Sequence, residues 1–143
     1  MSIIGACWGE MGFKKYENTD FHNQIQAPLD ALNYRFFCFG EARYIQASDL
    51  DLYGTRYFYD TEWRFQNFTY NHIVLKDEMP RPKLLEQAVR IANTLALSFS
   101  FVRVDLYVFP HSIIVGELTF TPEGGTGRYT PREWDRKLGD LWL

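Results

Sequence analysis

The sequence reads Phe-Val-Arg-Val-Asp-Leu-Tyr-Val-Phe at residues 101–109 and Ile-Ile-Val-Gly-Glu-Leu-Thr-Phe-Thr at residues 113–121. Both stretches are rich in β-branched and aromatic residues, which favour strands. The intervening Pro110-His111-Ser112 breaks the pattern. The spacing therefore predicts a β-hairpin with a three-residue loop centred on His111.

This loop sets the register of the predicted hairpin. Residue 109 then pairs with residue 113, Asp105 faces Glu117, and Arg103 faces Thr119. The other face is apolar, and a one-residue slip would move the polar side chains into the core, so the alternation also fixes the register. The apolar face consists of Val102, Val104, Leu106 and Val108 on the first strand and Ile114, Gly116, Leu118 and Phe120 on the second.

The facing acids Asp105 and Glu117 suggest a metal site. Like charges directly across an antiparallel pair destabilise it, so the pair persists more easily with a cation between the two side chains. Magnesium is the natural candidate because it prefers oxygen ligands and binds through one or two carboxylates plus substrate phosphates. The alternative is that both acids stay solvated and that Arg103, on the same face, neutralises one of them.

Length and composition narrow the classes of protein. A chain of 143 residues fits one domain, and a net charge of -3 with 46% apolar and 17% aromatic residues indicates a globular protein without a nucleic-acid partner. Cys7 and Cys38 are too far apart to suggest a disulfide framework or a zinc site. With no signal peptide and no apolar run of about 18 residues, we expect a cytoplasmic protein without membrane insertion.

Further elements are expected on both sides of the residue 101–121 hairpin. Residues 1–30 have no sustained periodicity and are expected to be irregular. A second hairpin is predicted at residues 34–47, with Gly40-Glu41 as its turn, followed by a short strand at residues 56–60. Residues 61–80 suggest a long packed loop anchored by aromatic rings.

Apolar residues at helical spacing predict an amphipathic helix from about residue 82 to residue 97. We expect it to pack on the apolar face of the 101–121 hairpin. A glycine-rich stretch at residues 122–127 either bends around a ligand or turns the chain. The predicted core includes Leu85, Ile91, Val104, Leu106 and Leu118.

The segment Thr130-Pro131-Arg132-Glu133 has the pattern of a helix start, with Thr130 as N-cap. It predicts a short C-terminal helix with Trp134, Leu138 and Leu141 on its inner side. The fold class is therefore α+β. We expect an antiparallel sheet with the residue 82–97 helix on one face and a phosphate and magnesium site on the other.

These residues resemble a known family. Arg103-Val104-Asp105 and the segment from Gly116 to Pro122 resemble the catalytic hairpin of ATP-grasp ligases, which carry Arg-x-Asp and Glu-x-Asn on adjacent strands. The resemblance is closer to the TupA-like ATP-grasp family of bacterial cell-surface polysaccharide biosynthesis. It is carried by residues 34–40, by Phe58-Tyr59-Asp60-x-x-Trp63, by residues 101–107 and by the region from Asp135 to Gly139, and it covers roughly residues 30–143.

The resemblance implies roles for individual residues. Asp105 and Glu117 would hold magnesium ions that bridge the ATP phosphates, and Arg103 would stabilise the transferring phosphoryl group. Arg35 stands where many such enzymes place a phosphate-directed Lys, although it also fits a plain surface strand residue. Thr119 occupies the Asn position of Glu-x-Asn, where its hydroxyl can still bind magnesium.

Family members use ATP to activate a carboxylate as an acyl phosphate. The partners implied are therefore ATP and a carboxylate or glycopolymer precursor. The glycine-rich loop and Lys of the first ATP-grasp subdomain have no counterpart in residues 1–30, so residues 31–143 resemble the C-terminal, metal-binding half. This leaves open a non-catalytic domain that needs a partner chain or missing subdomain, and a sugar-nucleotide glycosyltransferase, which would require a parallel, helix-flanked sheet.

Overall fold

The computed structural model describes residues 32–48, 56–71 and 79–142, so the predicted irregular segment at residues 1–30 lies outside the described residues. Within these ranges the chain is α+β. The strands are β1 (Leu32–Phe39), β2 (Glu41–Ser48), β3 (Arg56–Asp60), β4 (Phe65–Gln66), β5 (Thr69–Tyr70), β6 (Val102–Val108), β7 (Ile113–Thr119) and β8 (Tyr129–Thr130). The helices are α1 (Leu85–Ala96) and α2 (Glu133–Gly139), with a 3-10 turn at Pro122–Gly125. Neither helix is long and apolar enough to cross a membrane.

Six strands form one sheet in the order β4-β3-β2-β1-β6-β7. Every pairing between the described strands is antiparallel, which disagrees with the parallel sheet that the glycosyltransferase alternative requires. The predicted β1–β2 hairpin is confirmed, but Gly40 alone forms the bend and Glu41 already belongs to β2. Gly40 has a φ of 75°, a conformation that glycine adopts without steric cost.

The β6–β7 hairpin has the predicted register at the end that carries Arg103 and Asp105. Arg103 pairs with Thr119 and Asp105 pairs with Glu117. A bulge between Asp105 and Leu106 then shifts the register, so that Leu106 pairs with Val115. The predicted three-residue loop is therefore wrong. The loop is one residue longer and is closed by a hydrogen bond of 2.9 Å from Phe109 N to Ser112 O.

The bulge also changes the apolar face of β7. Ile113 and Val115 pack against the core, in place of the predicted Ile114 and Gly116. The bulge lets two branched side chains pack partly buried against the core while the acids still face each other. Gly116 lies against the Tyr107 ring, where an added Cβ would be 2.8 Å from Tyr107 Cε2. Phe120, predicted to be internal, is 48% exposed.

Helix α1 covers the apolar face of the sheet. It contacts β1, β2 and β6, so it lies over the central strands and not over the β6–β7 hairpin alone. Its inner side carries Leu85 and three alanines, whose short side chains let the helix approach the sheet closely. Of the predicted core residues, Leu85, Val104 and Leu106 are buried, while Ile91 and Leu118 are partly buried against the same cluster.

A second apolar cluster lies on the opposite face of the sheet. It is formed by Phe37 and Phe58 from the sheet, by the two-stranded β5–β8 sheet and by α2. Leu138 is buried there, and Trp134 and Leu141 pack against it, as predicted. The remaining members are Phe68, Tyr70, Phe101, Phe39, Tyr44 and Tyr129.

The predicted start of α2 is wrong. Thr130 pairs with Thr69 in the small sheet, so it is not available as an N-cap. The helix begins at Glu133, with Arg132 at the cap position and no side-chain capping hydrogen bond. Tertiary strand pairing therefore overrides a local capping pattern at this site.

The Asp60-x-x-Trp63 segment is a structural turn. Asp60 Oδ1 accepts hydrogen bonds of 2.9 Å from the backbone of Glu62 and of Arg64. The Trp63 ring stacks on Tyr59 with centroids 4.0 Å apart, and its Nε1 donates to Met79 O at 3.0 Å. The region predicted as an aromatic-anchored loop therefore contains this turn and the short strands β4 and β5, while residues 72–78 lie outside the described residues.

Candidate functional site

A polar row crosses the sheet on the face opposite α1. Gln46 on β2 pairs with Arg35 on β1, and Arg35 pairs with Asp105 on β6. Asp105 in turn pairs with Glu117 on β7. Directly paired residues in a sheet point to the same face, so four neighbouring strands bring these side chains into one line. Arg103 and its partner Thr119 lie next to this line, two residues from Asp105 on β6 and two residues from Glu117 on β7.

A buried ion pair forms the centre of the site. Arg103 Nε donates to Asp105 Oδ1 at 2.7 Å, and Arg103 Nη2 donates to Asp105 Oδ2 at 2.8 Å. Only 8% of Arg103 and 5% of Asp105 is exposed. The planar guanidinium matches the two carboxylate oxygens, which gives the pair a fixed geometry. The i, i+2 spacing on one strand makes this contact possible, because both side chains point to the same face.

Glu117 and Thr119 extend the network onto β7. Arg103 Nη2 also donates to Thr119 Oγ1 at 3.0 Å, and Thr119 Oγ1 donates to Glu117 Oε1 at 2.8 Å. Glu117 Oε2 lies 4.0 Å from Arg103 Nη2. The structure therefore brings together the four predicted residues of the hairpin in one continuous chain of contacts.

Burial and the neighbouring arginines act in opposite directions on the pKa of Asp105. Burial raises the pKa of its carboxyl group above the ordinary value, and the negative charge of Glu117 raises it further. The hydrogen bonds and charge of Arg103 lower the pKa, as does the charge of Arg35. Burial has the largest effect and the pKa stays raised, so the two arginines offset the cost of the buried carboxylate only in part.

Arg35 joins the network from β1. Its Nε lies 3.5 Å from Asp105 Oδ2, and its Nη1 donates to Gln46 Oε1 at 3.5 Å. Its side chain is 20% exposed. Arg35 thus lies between the acid of the hairpin and the amide of β2, which differs from the plain surface position that the sequence also allowed.

The oxygen donors fit a hard cation only in part. No group of three or more Asp, Glu, His or Cys residues converges among the residues that the structure describes. Asp105 and Glu117 supply carboxylate oxygens and Thr119 a hydroxyl, which is the ligand chemistry of magnesium. Both Asp105 oxygens accept hydrogen bonds from Arg103, so a cation at Asp105 would compete with this guanidinium. Glu117, with 36% of its side chain exposed, is the more open ligand.

Sequence reasoning missed the polar side chains on β1 and β2 beyond Arg35. These are Asn33, Gln46 and Ser48, each of which has a buried atom without a hydrogen-bond partner among the described residues. The register of the β1–β2 hairpin contains the missing signal. The predicted two-residue Gly40-Glu41 turn would pair Arg35 with Gln46. In the structure Gly40 alone is the bend, and the register shift between Phe37 and Cys38 restores that pair, so a charged residue and a buried amide are adjacent on the face that carries the acids.

Several large apolar side chains are exposed, and one of them, Phe120, directly follows Thr119 of β7. Phe99 and Phe120 are in contact, with ring centroids 5.0 Å apart, and they are 36% and 48% exposed. Trp142 is 50% exposed and stacks on Phe101 at 4.6 Å. Leu97 is 76% exposed. Contiguous exposed apolar groups such as the Phe99–Phe120 pair commonly mark an interaction surface.

Comparison with known proteins agrees with the geometry of the hairpin. The family model described as TupA-like ATPgrasp matches residues 16–143, so the match begins within the segment for which the sequence predicted no regular structure. Searches of curated proteins and of solved structures each found no match to the chain. The family match covers most of the chain and includes β6, β7 and the whole polar row. The chain therefore belongs to the TupA-like ATP-grasp family.

Proposed function

We propose that the polar row binds magnesium-ATP for the ATP-dependent activation of a carboxylate in cell-surface polysaccharide biosynthesis. The observation that carries the proposal is the continuous contact network Asp105–Arg103–Thr119–Glu117 on two adjacent strands. It combines acidic oxygens with a guanidinium, and these are the groups that stabilise a phosphoryl group and its counter-cation.

Each side chain has a distinct part in the proposal. Asp105, Glu117 and Thr119 supply the oxygens that would hold magnesium, which neutralises phosphate charge when it is bound. Arg103 and Arg35 supply positive charge for the phosphate oxygens. In the reaction, a carboxylate oxygen bonds to the γ-phosphorus of ATP and ADP leaves. An amine or similar nucleophile then attacks the acyl phosphate and releases phosphate.

Arg103 connects the metal-binding and the phosphate-binding parts of the proposal. Without ligands, its guanidinium occupies the oxygens of Asp105 at 2.7 and 2.8 Å. Release of this group would expose the carboxylate and free a rigid, bidentate donor for phosphate at the same time. Because ATP is abundant in the cytoplasm, the proposal includes a cytoplasmic location.

Isothermal titration calorimetry with magnesium-ATP tests the proposal. We expect weak binding by the chain, and Glu117→Gln should weaken it by about tenfold or more because an anionic metal ligand is lost. The same change at Glu133 is the matched control, since Glu133 is an exposed helix residue paired with Lys137. Binding that is equal for wild type and Glu117→Gln, or that persists unchanged in EDTA, would contradict the proposed site.

A second candidate function is a non-catalytic domain that depends on a partner chain. The observation in its favour is the exposed, contacting ring pair of Phe99 and Phe120, together with the exposed side chains of Leu97 and Trp142. The same titration separates the two candidates. The partner-dependent domain predicts no heat of binding from magnesium-ATP with the chain alone, whereas the ATP-binding function predicts a signal that requires Glu117.

A further inference from the structure

Four buried polar atoms lie next to the phosphate-binding residues and have no hydrogen-bond partner within residues 32–48, 56–71 and 79–142. They are Asn33 Oδ1, Arg35 Nε, Gln46 Nε2 and Ser48 Oγ. Asn33 and Arg35 are two residues apart on β1, as Gln46 and Ser48 are on β2, and Arg35 pairs with Gln46. Strand alternation therefore places all four side chains on one face, opposite α1.

Gln46 shows that this arrangement is costly to the fold. The residue is 1% exposed, its Oε1 accepts from Arg35 Nη1, and its Nε2 has no partner among the described residues. A buried donor without a partner loses its hydration and gains nothing in return, so such groups are rare in folded proteins. Three such donors and one acceptor on one face, of which only Arg35 Nε has a charged neighbour at 3.5 Å, indicate that something outside these residues completes their hydrogen bonds.

The chemistry of the four groups narrows the class of ligand. Arg35, Gln46 and Ser48 offer donors, one of them charged, while Asn33 Oδ1 offers an acceptor. Such a set suits a carboxylate whose own hydroxyl or amine reaches Asn33. A dianionic phosphoryl group suits the set less well, because it has no proton to donate to the acceptor Asn33 Oδ1.

We propose that Asn33, Arg35, Gln46 and Ser48 form the subsite for the carboxylate substrate, and that this substrate is a hydroxy- or amino-carboxylate. The inference rests on the proposed function, because it assigns the second reactant of the same site. Arg35 lies at the boundary between the phosphate region and the new subsite. It contacts Asp105 of the phosphate region on one side and Gln46 of the new subsite on the other.

The test is an NMR titration of the full chain with glycolate, which carries one carboxylate and one hydroxyl. Acetate, which lacks the hydroxyl, and inorganic phosphate are the comparison ligands. We expect glycolate to bind more tightly than either one. We also expect Gln46→Met to weaken glycolate binding by about tenfold, as for the loss of a hydrogen bond to a charged group.

Gln66→Met is the matched control. This substitution makes the same amide-to-thioether change on the same sheet. Gln66 lies outside the subsite, and its Nε2 already donates to Arg64 O at 3.0 Å. Without ligand, Gln46→Met should have a Tm equal to or above that of wild type. It removes a buried Nε2 without a partner among the described residues and loses only the long 3.5 Å contact of Oε1 with Arg35. A purely structural Gln46 predicts a lower Tm and unchanged glycolate binding. Ser48→Ala is the second variant if Gln46→Met fails to fold, and it should also weaken glycolate binding.

Three results would overturn the inference. They are equal glycolate binding by wild type and both subsite variants, phosphate binding that is tighter than glycolate binding and is lost in Gln46→Met, and no binding of glycolate at all. Wild-type binding of magnesium-ATP distinguishes this failure from failure of the proposed function. If magnesium-ATP binds and glycolate does not, only the subsite is wrong, and if glycolate alone binds, the nucleotide function is wrong.

Discussion

Removal of the Arg103 guanidinium should destabilise the fold much more than removal of an exposed arginine. In Arg103→Met, the aliphatic volume is largely kept, but Asp105, which is 5% exposed, loses both of its short hydrogen bonds. Breaking a buried ion pair from one side typically costs about 3 to 5 kcal/mol. Arg35 remains 3.5 Å from Asp105 and compensates in part, so we expect a loss of about 3 kcal/mol.

Arg43→Met is the matched control for this prediction. Arg43 forms an ion pair with Glu41 at 2.9 Å, but the two side chains are 50% and 57% exposed. Such a surface pair is worth about 1 kcal/mol or less. The distance alone would rank the two ion pairs as equal, so the comparison isolates the effect of burial.

The assay is urea unfolding followed by the fluorescence of the tryptophans, in buffer with EDTA so that no cation replaces the guanidinium. With a slope of about 2 kcal/mol per M, a loss of about 3 kcal/mol lowers the midpoint by roughly 1.5 M. The slope itself should not change. A loss for Arg103→Met within about 1 kcal/mol of that for Arg43→Met would refute the reasoning, because Asp105 would then not depend on its buried partner.

Two further predictions concern the core. Leu106→Ala should lower the free energy of unfolding by about 2 to 5 kcal/mol, because the side chain is fully buried under α1. Leu97→Ala is the control and should change it by less than about 0.5 kcal/mol, because Leu97 is 76% exposed. Equal urea midpoints for the two variants would contradict the packing. Burial raises the pKa of the Cys38 thiol from 9.0 to about 12. Between these two pH values the folded state keeps a proton that the unfolded state loses, so the free energy of unfolding should fall as the pH rises from 9.0 to about 12. Cys38→Ala should reduce the slope of this fall by up to about 1.4 kcal/mol per pH unit, and an unchanged slope would show that the thiol is not protected.

The sequence by itself determined the elements whose pattern is local. Alternating side chains at residues 101–121 placed Asp105 opposite Glu117 and Arg103 opposite Thr119, since a shift by one residue would turn the charged side chains into the apolar core. Helical spacing located α1 to within three residues at its start and one at its end. The family assignment also followed from these local motifs, because each consists of residues close together in the chain.

The tertiary structure decided the contacts between elements that are distant in sequence. No local pattern shows that β1 lies between β2 and β6, yet this order is what places Arg35 beside Asp105 and Gln46 beside Arg35. The bulge after Asp105 likewise arises because the core accepts Ile113 and Val115 while the acids keep their partners. Strand order depends on which apolar faces can be buried together, and that is a property of the whole sheet and not of any one segment.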